Sequence, residues 1–167
     1  MTAAELREAV RRAYDFACGY CGVRETDAGS QLELDHFKPR RAGGGDEFEN
    51  LVYCCPTCNR LKGDFWATAA TGERLLHPQR ERLTEHLRQE PDGLLTALTE
   101  TGEFHLSRLR LNRPPLVALR RARAENAQLR DELAQAQTAK QLLLERLVAL
   151  DTEIKRLLNE IARLSGE

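Results

Sequence analysis

Asp35 and His36 stand side by side and together carry the groups needed for metal-assisted hydrolysis. The carboxylate is a hard oxygen ligand for a divalent cation, and the imidazole nitrogen can take a proton from water near neutral pH. The dipeptide alone does not indicate a function, so its interpretation depends on the residues around it. Two Cys-x-x-Cys pairs bracket it, and they consist of Cys18, Cys21, Cys55 and Cys58.

The spacing of these four cysteines is typical of a tetrahedral zinc site with thiolate ligands. A zinc ion shared by both pairs would close the intervening loop and position Asp35 and His36. Four thiolates leave no open coordination position, so we expect this zinc to be structural. The alternative is a pair of dithiols with a redox role or without metal. The fifth cysteine, Cys54, is interpreted as a small buried residue at a strand end rather than as a reactive or liganding one.

Composition and charge limit the classes of function. The chain has 167 residues, of which 41% are hydrophobic and 31% charged, so it allows one domain or a smaller domain with an extension. The formal net charge of -1 means that any contact with nucleic acid must come from a local basic patch. We expect no membrane partner, because no apolar run of about 18 residues is present. Glu5 and Glu8 argue against a signal peptide, and the cysteine pairs suit a reducing compartment, so we expect a cytoplasmic protein.

The segments around the cysteines predict the elements that hold them. Apolar residues recur every three or four positions over residues 3–17, which indicates an amphipathic helix before the first cysteine pair. Residues 32–36 and 49–54 have the pattern of two short strands, and a short helix or turn begins at Asn59. The other predictions are a polar turn at 25–30, a mobile glycine-rich loop at 40–45, a helix at 79–88 and a hairpin of residues 93–98 with 103–107.

A heptad pattern runs without interruption from Leu119 to Leu164 and predicts a coiled coil. One core position takes Leu119, Asn126, Leu133, Lys140, Leu147, Ile154 and Ile161. The other core position takes Ala122, Leu129, Ala136, Leu143, Leu150, Leu157 and Leu164. Two prolines, Pro114 and Pro115, stand just before this helix and mark its start.

Polar residues in the heptad core indicate how the helix is paired. Asn126 and Lys140 occupy the position that takes Ile or Val in a two-stranded parallel coil, where a polar residue fixes register and strand number. In a parallel homodimer Glu125 would face Arg130 and Arg146 would face Asp151, and both pairs are attractive. We therefore expect a parallel homodimer through residues 119–164. The alternatives are an antiparallel pair with Leu144 and Leu158 in the seam, a coil with another protein, and a helix folded back on its own domain.

The order of these motifs resembles the HNH endonuclease family. The resemblance rests on the first Cys-x-x-Cys pair, on Asp35-His36, on Glu49-Asn50-Leu51-Val52, and on the second pair continued as Cys58-Asn59-x-x-Lys62. It covers residues 18–64 and implies a small ββα-metal domain stapled by a zinc ion. The later segment Leu111-Asn112-Arg113-Pro114 is similar to the tail of small bacterial HNH proteins. The predicted fold class is α+β. A nuclease domain at 1–115 (core 18–64, accessory helix and hairpin 65–113) precedes a coiled-coil helix at 116–167.

The resemblance also implies a role for each motif residue. His36 would be the general base that deprotonates the attacking water. Asp35 and Asn59 would hold one catalytic divalent cation, Mg²⁺ or alternatively Mn²⁺ or Ni²⁺, next to the scissile phosphate. Asn50 would hydrogen-bond to backbone and fix the loop that carries His36. The last letter of the family name stands for a histidine at the third motif position, and this chain has Asn59 there. This difference affects which metal ion the site would prefer.

These inferences together predict a metal-dependent endonuclease that hydrolyses phosphodiester bonds of double-stranded DNA and dimerises through its coil. Basic residues near the motif are the candidate phosphate contacts, namely Lys38, Arg40, Arg41, Arg60 and Lys62, with a solvated basic rim as the alternative. Two other functions are possible interpretations of the same residues. One is a nuclease effector controlled by a partner bound to the coil, and the other is a non-catalytic zinc-stapled adaptor that binds nucleic acid. The motif residues disfavour the adaptor, because an adaptor has no need of them.

Overall fold

The computed structural model describes residues 2–67 and 73–166. Its residues fall into two compact units, Met1–Arg121 and Ala122–Glu167. The helices are α1 Ala3–Ala13, α2 Glu25–Ala28, α3 Pro56–Lys62, α4 Leu83–His86, α5 Glu100–Arg108 and α6 Pro114–Ser165. The strands are β1 Glu33–His36, β2 Leu51–Cys54, β3 Leu87–Gln89 and β4 Leu95–Ala97. The fold is α+β, as the sequence predicts, and within the described ranges no helix combines the length and apolar character needed to cross a bilayer.

Helix α1 begins with a capping box and ends earlier than predicted. The Thr2 hydroxyl accepts a hydrogen bond from the Glu5 N–H at 3.2 Å, and the Thr2 N–H donates to the Glu5 carboxylate at 2.7 Å. The helix ends at Ala13, because Asp15 and Phe16 adopt left-handed backbone conformations with φ of 48° and 57°. The prediction of a helix to residue 17 is therefore wrong at its end. This turn leads the chain directly into the first cysteine pair.

Strands β1 and β2 form an antiparallel pair that carries the motif residues. Glu33 lies opposite Cys54 in this pair, and His36 lies opposite Leu51. Every residue of β2 is buried, so this strand forms the centre of the core of the first unit. The predicted strands at 32–36 and 49–54 are confirmed, with each strand shorter at one or both ends.

A polar network ties α1 and α2 to the strand pair. The Arg11 guanidinium forms two hydrogen bonds of 2.6 Å to the Glu25 carboxylate. The Tyr53 hydroxyl donates to Glu25 and accepts a hydrogen bond from the Leu32 N–H at 2.7 Å. The Arg11 guanidinium and the Tyr53 hydroxyl together hold the pKa of Glu25 at about 2. Residues 25–28 are thus a helical turn with a structural role, and not only a polar turn.

The second sheet differs from the predicted hairpin. Strands β3 and β4 pair as Leu87–Gln89 with Leu95–Ala97, whereas residues 100–108 form α5. The reason is the cap at Thr99, whose hydroxyl accepts a hydrogen bond from the Gly102 N–H at 3.0 Å and starts a helix. The helix predicted at 79–88 is reduced to α4, because Leu87 already belongs to β3.

His105 on α5 makes stability depend on pH. Its side chain is fully buried, and its Nδ1 accepts a hydrogen bond from the Leu76 N–H at 3.1 Å. Burial lowers the pKa of His105 from 6.5 to about 4. Between these two pH values the unfolded chain therefore binds a proton at this histidine that the folded protein does not bind. The contribution of the neutral His105 to the free energy of unfolding is complete above pH 6.5 and is lost as the pH falls towards 4.

We expect His105→Gln to remove part of this pH dependence, because glutamine can accept the same hydrogen bond without taking up a proton. Between pH 7 and pH 5 the free energy of unfolding of the wild type should fall by about 2 kcal/mol more than that of the variant. Urea denaturation at each pH measures both values. Comparing the two proteins at the same pH cancels the effect of acid on the cysteines. A difference that stays constant over this range would contradict the assignment.

Helix α6 is the long C-terminal helix that the heptad pattern predicts, and it spans 52 residues. It starts after Arg113, whose carbonyl accepts a hydrogen bond from the Val117 N–H at 3.2 Å. Leucines of both heptad core positions are exposed along it, including Leu133 and Leu147 of one position and Leu129 and Leu143 of the other. The helix is confirmed, and its pairing as a coiled coil stays a prediction.

Candidate active site and metal centre

The four predicted zinc ligands lie together in the folded chain. The Sγ atoms of Cys18, Cys21, Cys55 and Cys58 all lie within 4.8 Å of one another. The Cys21 and Cys55 sulfurs are 3.8 Å apart. A tetrahedral zinc ion with bonds of about 2.3 Å requires sulfur atoms about 3.8 Å apart, so the cluster fits this ion. Within residues 2–67 and 73–166 it is the one group of three or more His, Cys, Asp or Glu side chains placed to hold a metal ion.

Local backbone geometry explains how the cysteines reach this position. The Cys18 N–H donates to the Val23 carbonyl at 2.8 Å and closes the first knuckle. Cys55 is the N-cap of α3, and its Sγ accepts a hydrogen bond from the Cys58 N–H at 3.4 Å. Burial raises the pKa of the Cys18 thiol, so a bound cation is the natural partner for the thiolate form. The fifth cysteine, Cys54, is fully buried in β2 outside the cluster.

Asp35 lies in a buried polar network beside the cluster. Its carboxylate accepts hydrogen bonds from the Tyr20 hydroxyl at 2.6 Å and from the Lys62 ammonium at 3.1 Å. Burial raises the pKa of Asp35, although the Lys62 charge and the Tyr20 hydrogen bond act in the opposite direction. Asp35 is therefore bound to protein donors at both of its oxygens.

Lys62 requires a correction to the predicted phosphate contacts. Its side chain is fully buried, and its Nζ donates to Asp35, to the His36 carbonyl at 2.7 Å and to the Gly63 carbonyl at 3.3 Å. An ammonium with three protein acceptors has no donor left for a phosphate. Lys62 holds the strand that carries the motif instead of facing solvent.

The other predicted basic contacts lie at the surface. Arg40 and Arg60 are exposed. The Arg41 guanidinium pairs with the Asp64 carboxylate at 3.0 Å. The Lys38 ammonium lies 5.8 Å from the centre of the Trp66 ring, a distance at which a cation is attracted to an aromatic face. These four side chains remain candidates for phosphate contacts.

His36 is held by an acidic residue that the sequence reasoning missed. Its Nε2 lies 2.6 Å from the Asp46 carboxylate, ten residues further along the chain. The Arg40 guanidinium donates to the same carboxylate oxygen at 2.6 Å. The hydrogen bond from His36 lowers the pKa of Asp46, and the charge of Arg40 adds to this effect. The Arg40 Nε also lies 3.3 Å from His36 Nε2, so Asp46 and Arg40 both contact this side of the ring. Among the described contacts none occupies Nδ1, which is therefore the ring nitrogen left to accept a proton from water.

Asn50 closes the loop between β1 and β2. Its Oδ1 accepts a hydrogen bond from the Lys38 N–H at 2.8 Å. Its Nδ2 donates to the Lys38 carbonyl at 3.1 Å and to the Gly45 carbonyl at 2.8 Å. A Cβ atom on Gly44 would lie 1.8 Å from the Lys38 carbonyl oxygen, so the backbone approach here needs glycine. The glycine-rich loop is thus pinned by Asn50, in contrast to the mobile loop that we predicted.

Asn59 lies on α3 and contacts a second acidic residue that was missed. Its Nδ2 donates to the Glu33 carboxylate at 2.8 Å, which leaves Oδ1 as the atom able to bind a cation. Glu33 stands two residues before Asp35 and therefore shares a strand face with it. The structure joins Asn59 to Glu33 and Asp35 to Lys62, so a cation held jointly by Asp35 and Asn59 stays a prediction. The alternation of Glu33 and Asp35 along β1 is the sequence signal that could have pointed to Glu33.

An aromatic cleft of about 910 Å³ lies next to the loop that Asn50 pins. Phe37, Trp66 and His77 line it, and the Phe37 and His77 rings are 4.3 Å apart between centroids. Lys38 stands at the same wall. Phe37 and Lys38 directly follow His36 in the chain, so this cleft begins beside the histidine.

Comparison with known proteins agrees with the motif. Residues 18–65 match the family model for HNH endonuclease. A search of curated proteins and a search of solved structures each gave no match. The matched segment contains both cysteine pairs, Asp35, His36, Asn50 and Asn59, and an HNH domain indicates nuclease chemistry at the level of the family. The chain therefore contains an HNH endonuclease domain at residues 18–65, which a long C-terminal helix follows.

Proposed function

We propose that this protein is a metal-dependent endonuclease that hydrolyses phosphodiester bonds of double-stranded DNA, with His36 as the general base. One observation above all supports the proposal. Within the HNH domain, the Nε2 of His36 is held by Asp46 at 2.6 Å, which directs the basic character of the ring to Nδ1. A histidine held in one tautomer is what deprotonation of water requires.

The reaction proceeds by attack of water on the scissile phosphorus. Nδ1 of His36 takes a proton from the water as its oxygen bonds to phosphorus, and the bond to the 3′ oxygen breaks. Asp46 stabilises the imidazolium that results, because both ring nitrogens are then protonated and its carboxylate lies 2.6 Å from Nε2. Asn50 keeps the loop in place through its backbone hydrogen bonds, so Asp46 stays within reach of the ring.

The oxygen atoms of Asp35 and Asn59 are of the type that Mg²⁺, Mn²⁺ or Ni²⁺ can take, and we propose that these two residues hold the catalytic cation. When bound, the cation supplies electrostatic stabilisation of the leaving 3′ oxygen. Oδ1 of Asp35 accepts a hydrogen bond from Lys62 and keeps a second lone pair with which it can bind the cation. The partly exposed Lys38 and the exposed Arg40, Arg41 and Arg60 then position the DNA backbone through its phosphates.

The test is cleavage of supercoiled plasmid by the purified zinc-loaded protein with Mg²⁺, Mn²⁺ or Ni²⁺. We expect nicked and linear products that disappear when EDTA removes the catalytic cation. Plasmid that is bound but left intact with each of the three cations would contradict the proposal. That outcome would favour the adaptor, which binds nucleic acid without cutting it.

We further propose that residues 1–115 are the nuclease domain and that residues 116–167 pair as a parallel coiled coil between two copies. The support comes from the exposed side chains of the second unit, where Leu129, Leu143, Leu150 and Leu157 all occupy one heptad core position. A dimer tethers two sites, so cuts on both strands follow without sequence readout by each domain. We also propose that the protein is cytoplasmic, because the reducing cytoplasm keeps zinc-binding thiolates reduced and gives access to a DNA substrate.

Adjacent leucines provide a matched test of the coil. Leu143 lies in the heptad core and Leu142 lies outside it, and both are exposed in the single chain. We expect Leu143→Asp to weaken dimerisation by about a hundredfold or more, because two carboxylates would enter the apolar seam of each dimer. Leu142→Asp should leave the dimer nearly unchanged.

Sedimentation equilibrium of both variants and of the wild type measures this difference, and native mass spectrometry should find two zinc ions per wild-type dimer. Equal dissociation constants for the two variants would contradict the heptad register. A monomeric wild type would contradict the homodimer and favour an effector that binds a different protein through its coil.

A further inference from the structure

The cysteine cluster is buried in a way that calls for a compensating charge. Cys58 is fully buried, and Cys18 and Cys55 are 2% and 6% exposed. One zinc ion with four thiolates carries a net charge of about -2. Placing such a charge away from water is costly unless donors or a cation lie beside it. The Cys58 N–H supplies one donor, to the Cys55 sulfur.

Arg113 supplies the cation. Its Nη2 lies 3.5 Å from the Cys58 sulfur and 3.9 Å from the sulfurs of Cys21 and Cys55. Arg120 is also close enough to interact electrostatically with Cys21, but its guanidinium donates to the Gly93 and Leu111 carbonyls at 2.6 Å and 2.9 Å. One guanidinium nitrogen therefore faces three of the four ligands from a position 55 residues beyond the last of them.

The backbone around Arg113 holds the guanidinium in this place. Its Nη1 donates to the Leu109 carbonyl at 3.0 Å and to the Arg110 carbonyl at 3.4 Å, at the end of α5. Its own carbonyl accepts hydrogen bonds from the N–H groups of Leu116 and Val117 at 3.0 Å and 3.2 Å, in the first turn of α6. Arg113 is thus fixed between two helices with its second nitrogen aimed at the cluster.

We propose that Arg113 is the outer-sphere cation of the zinc centre, which retains the metal by neutralising charge on its thiolates. The proposal rests on the assignment of zinc to the four cysteines and is independent of nuclease activity. Outer-sphere partners of this kind affect metal affinity strongly, because they set the electron density on the ligand atoms. Arg113 acts through the sulfurs and is therefore a positioning residue of the metal centre.

Zinc release measures this role directly. We expect Arg113→Met to speed the transfer of zinc to an excess of the chromogenic chelator 4-(2-pyridylazo)resorcinol by roughly 10- to 100-fold. Arg113→Lys keeps the charge and should release zinc more slowly than the methionine variant. The matched control is Arg110→Met, which makes the same change of charge and side chain three residues away, at an exposed position. It should release zinc at the wild-type rate.

Cobalt substitution separates this electronic role from a purely structural one. With Co²⁺ in place of zinc, the sulfur-to-cobalt charge-transfer band of Arg113→Met should shift to lower energy, because the sulfurs lose a cationic donor. Arg113→Lys should move this band back toward its wild-type position. Equal release rates and equal band positions in Arg113→Met and Arg110→Met would overturn the proposal, even if Arg113→Met were less stable to urea. Should Arg113→Met fail to fold, Arg113→Gln replaces it under the same two criteria.

Discussion

Replacing His36 by alanine should reduce plasmid cleavage by about 10²- to 10⁴-fold, the range that a positioned general base contributes. The variant loses the Nδ1 atom that takes the proton from water, while Asn50 and Lys62 still hold the surrounding backbone. The loss should appear in the rate at saturating DNA and not in DNA affinity, because the imidazole acts in the transition state. Single-turnover cleavage with excess enzyme measures this rate.

His86→Ala is the control for this experiment. His86 is also partly exposed, and its Nδ1 lies 2.7 Å from the hydroxyl of Thr99, which follows β4. We expect this variant to cleave at the wild-type rate. If wild type and His36→Ala gave the same trace of cleavage, the activity would come from a contaminant and His36 would not be the base. Equal zinc content in all three proteins shows that the metal centre is intact.

The second large effect is expected at the metal centre. Cys58→Ala should abolish zinc binding and unfold the unit Met1–Arg121, because the binding energy of a structural zinc ion is about 10–16 kcal/mol. Domains of this size are stable by about 5–15 kcal/mol in total, so the remaining core cannot compensate for this loss. Zinc analysis and urea unfolding followed by tyrosine fluorescence measure the two parts of the prediction.

Cys54→Ala is the matched control, since it makes the same substitution four residues earlier in the chain. Cys54 is fully buried in β2 but lies outside the cluster, so its loss creates only a small cavity. This variant should keep one zinc ion per chain and lose about 1 kcal/mol of stability. Zinc retained by Cys58→Ala, with an unchanged unfolding midpoint, would rule out the structural role of the metal.

Local patterns in the sequence predict the elements that position the site. Alternation along residues 32–36 predicts β1 because a half-buried strand must alternate. Helix α3 begins at Pro56, three residues before the predicted start at Asn59, because a proline suits the first turn of a helix. The cysteine pairs predict the cluster because two knuckles of this spacing share one ion. The heptads predict α6 because nothing breaks the pattern from Leu119 to Leu164.

Contacts between distant segments could not be predicted in the same way. Lys62 follows Arg60 in a basic stretch that resembles a surface, and only the buried carboxylate of Asp35 explains why this lysine lies inside. Asp46 belongs to a loop whose path depends on Asn50, so its contact with His36 has no local signal. Residues 99–102 resemble a turn because they include a glycine, whereas Thr99 caps a helix that begins at Glu100.

The glycine run in the loop between β1 and β2 has a consequence for engineering this protein. At Gly44 any larger residue would collide with the Lys38 carbonyl, so that position admits no variation. Gly43 has φ of 82°, which asparagine can also adopt at modest cost. At Gly45 the atoms nearest to an added Cβ are those of the Glu47 carboxylate, which can move aside. Variant libraries aimed at altered DNA preference therefore have room at position 45 and none one residue earlier.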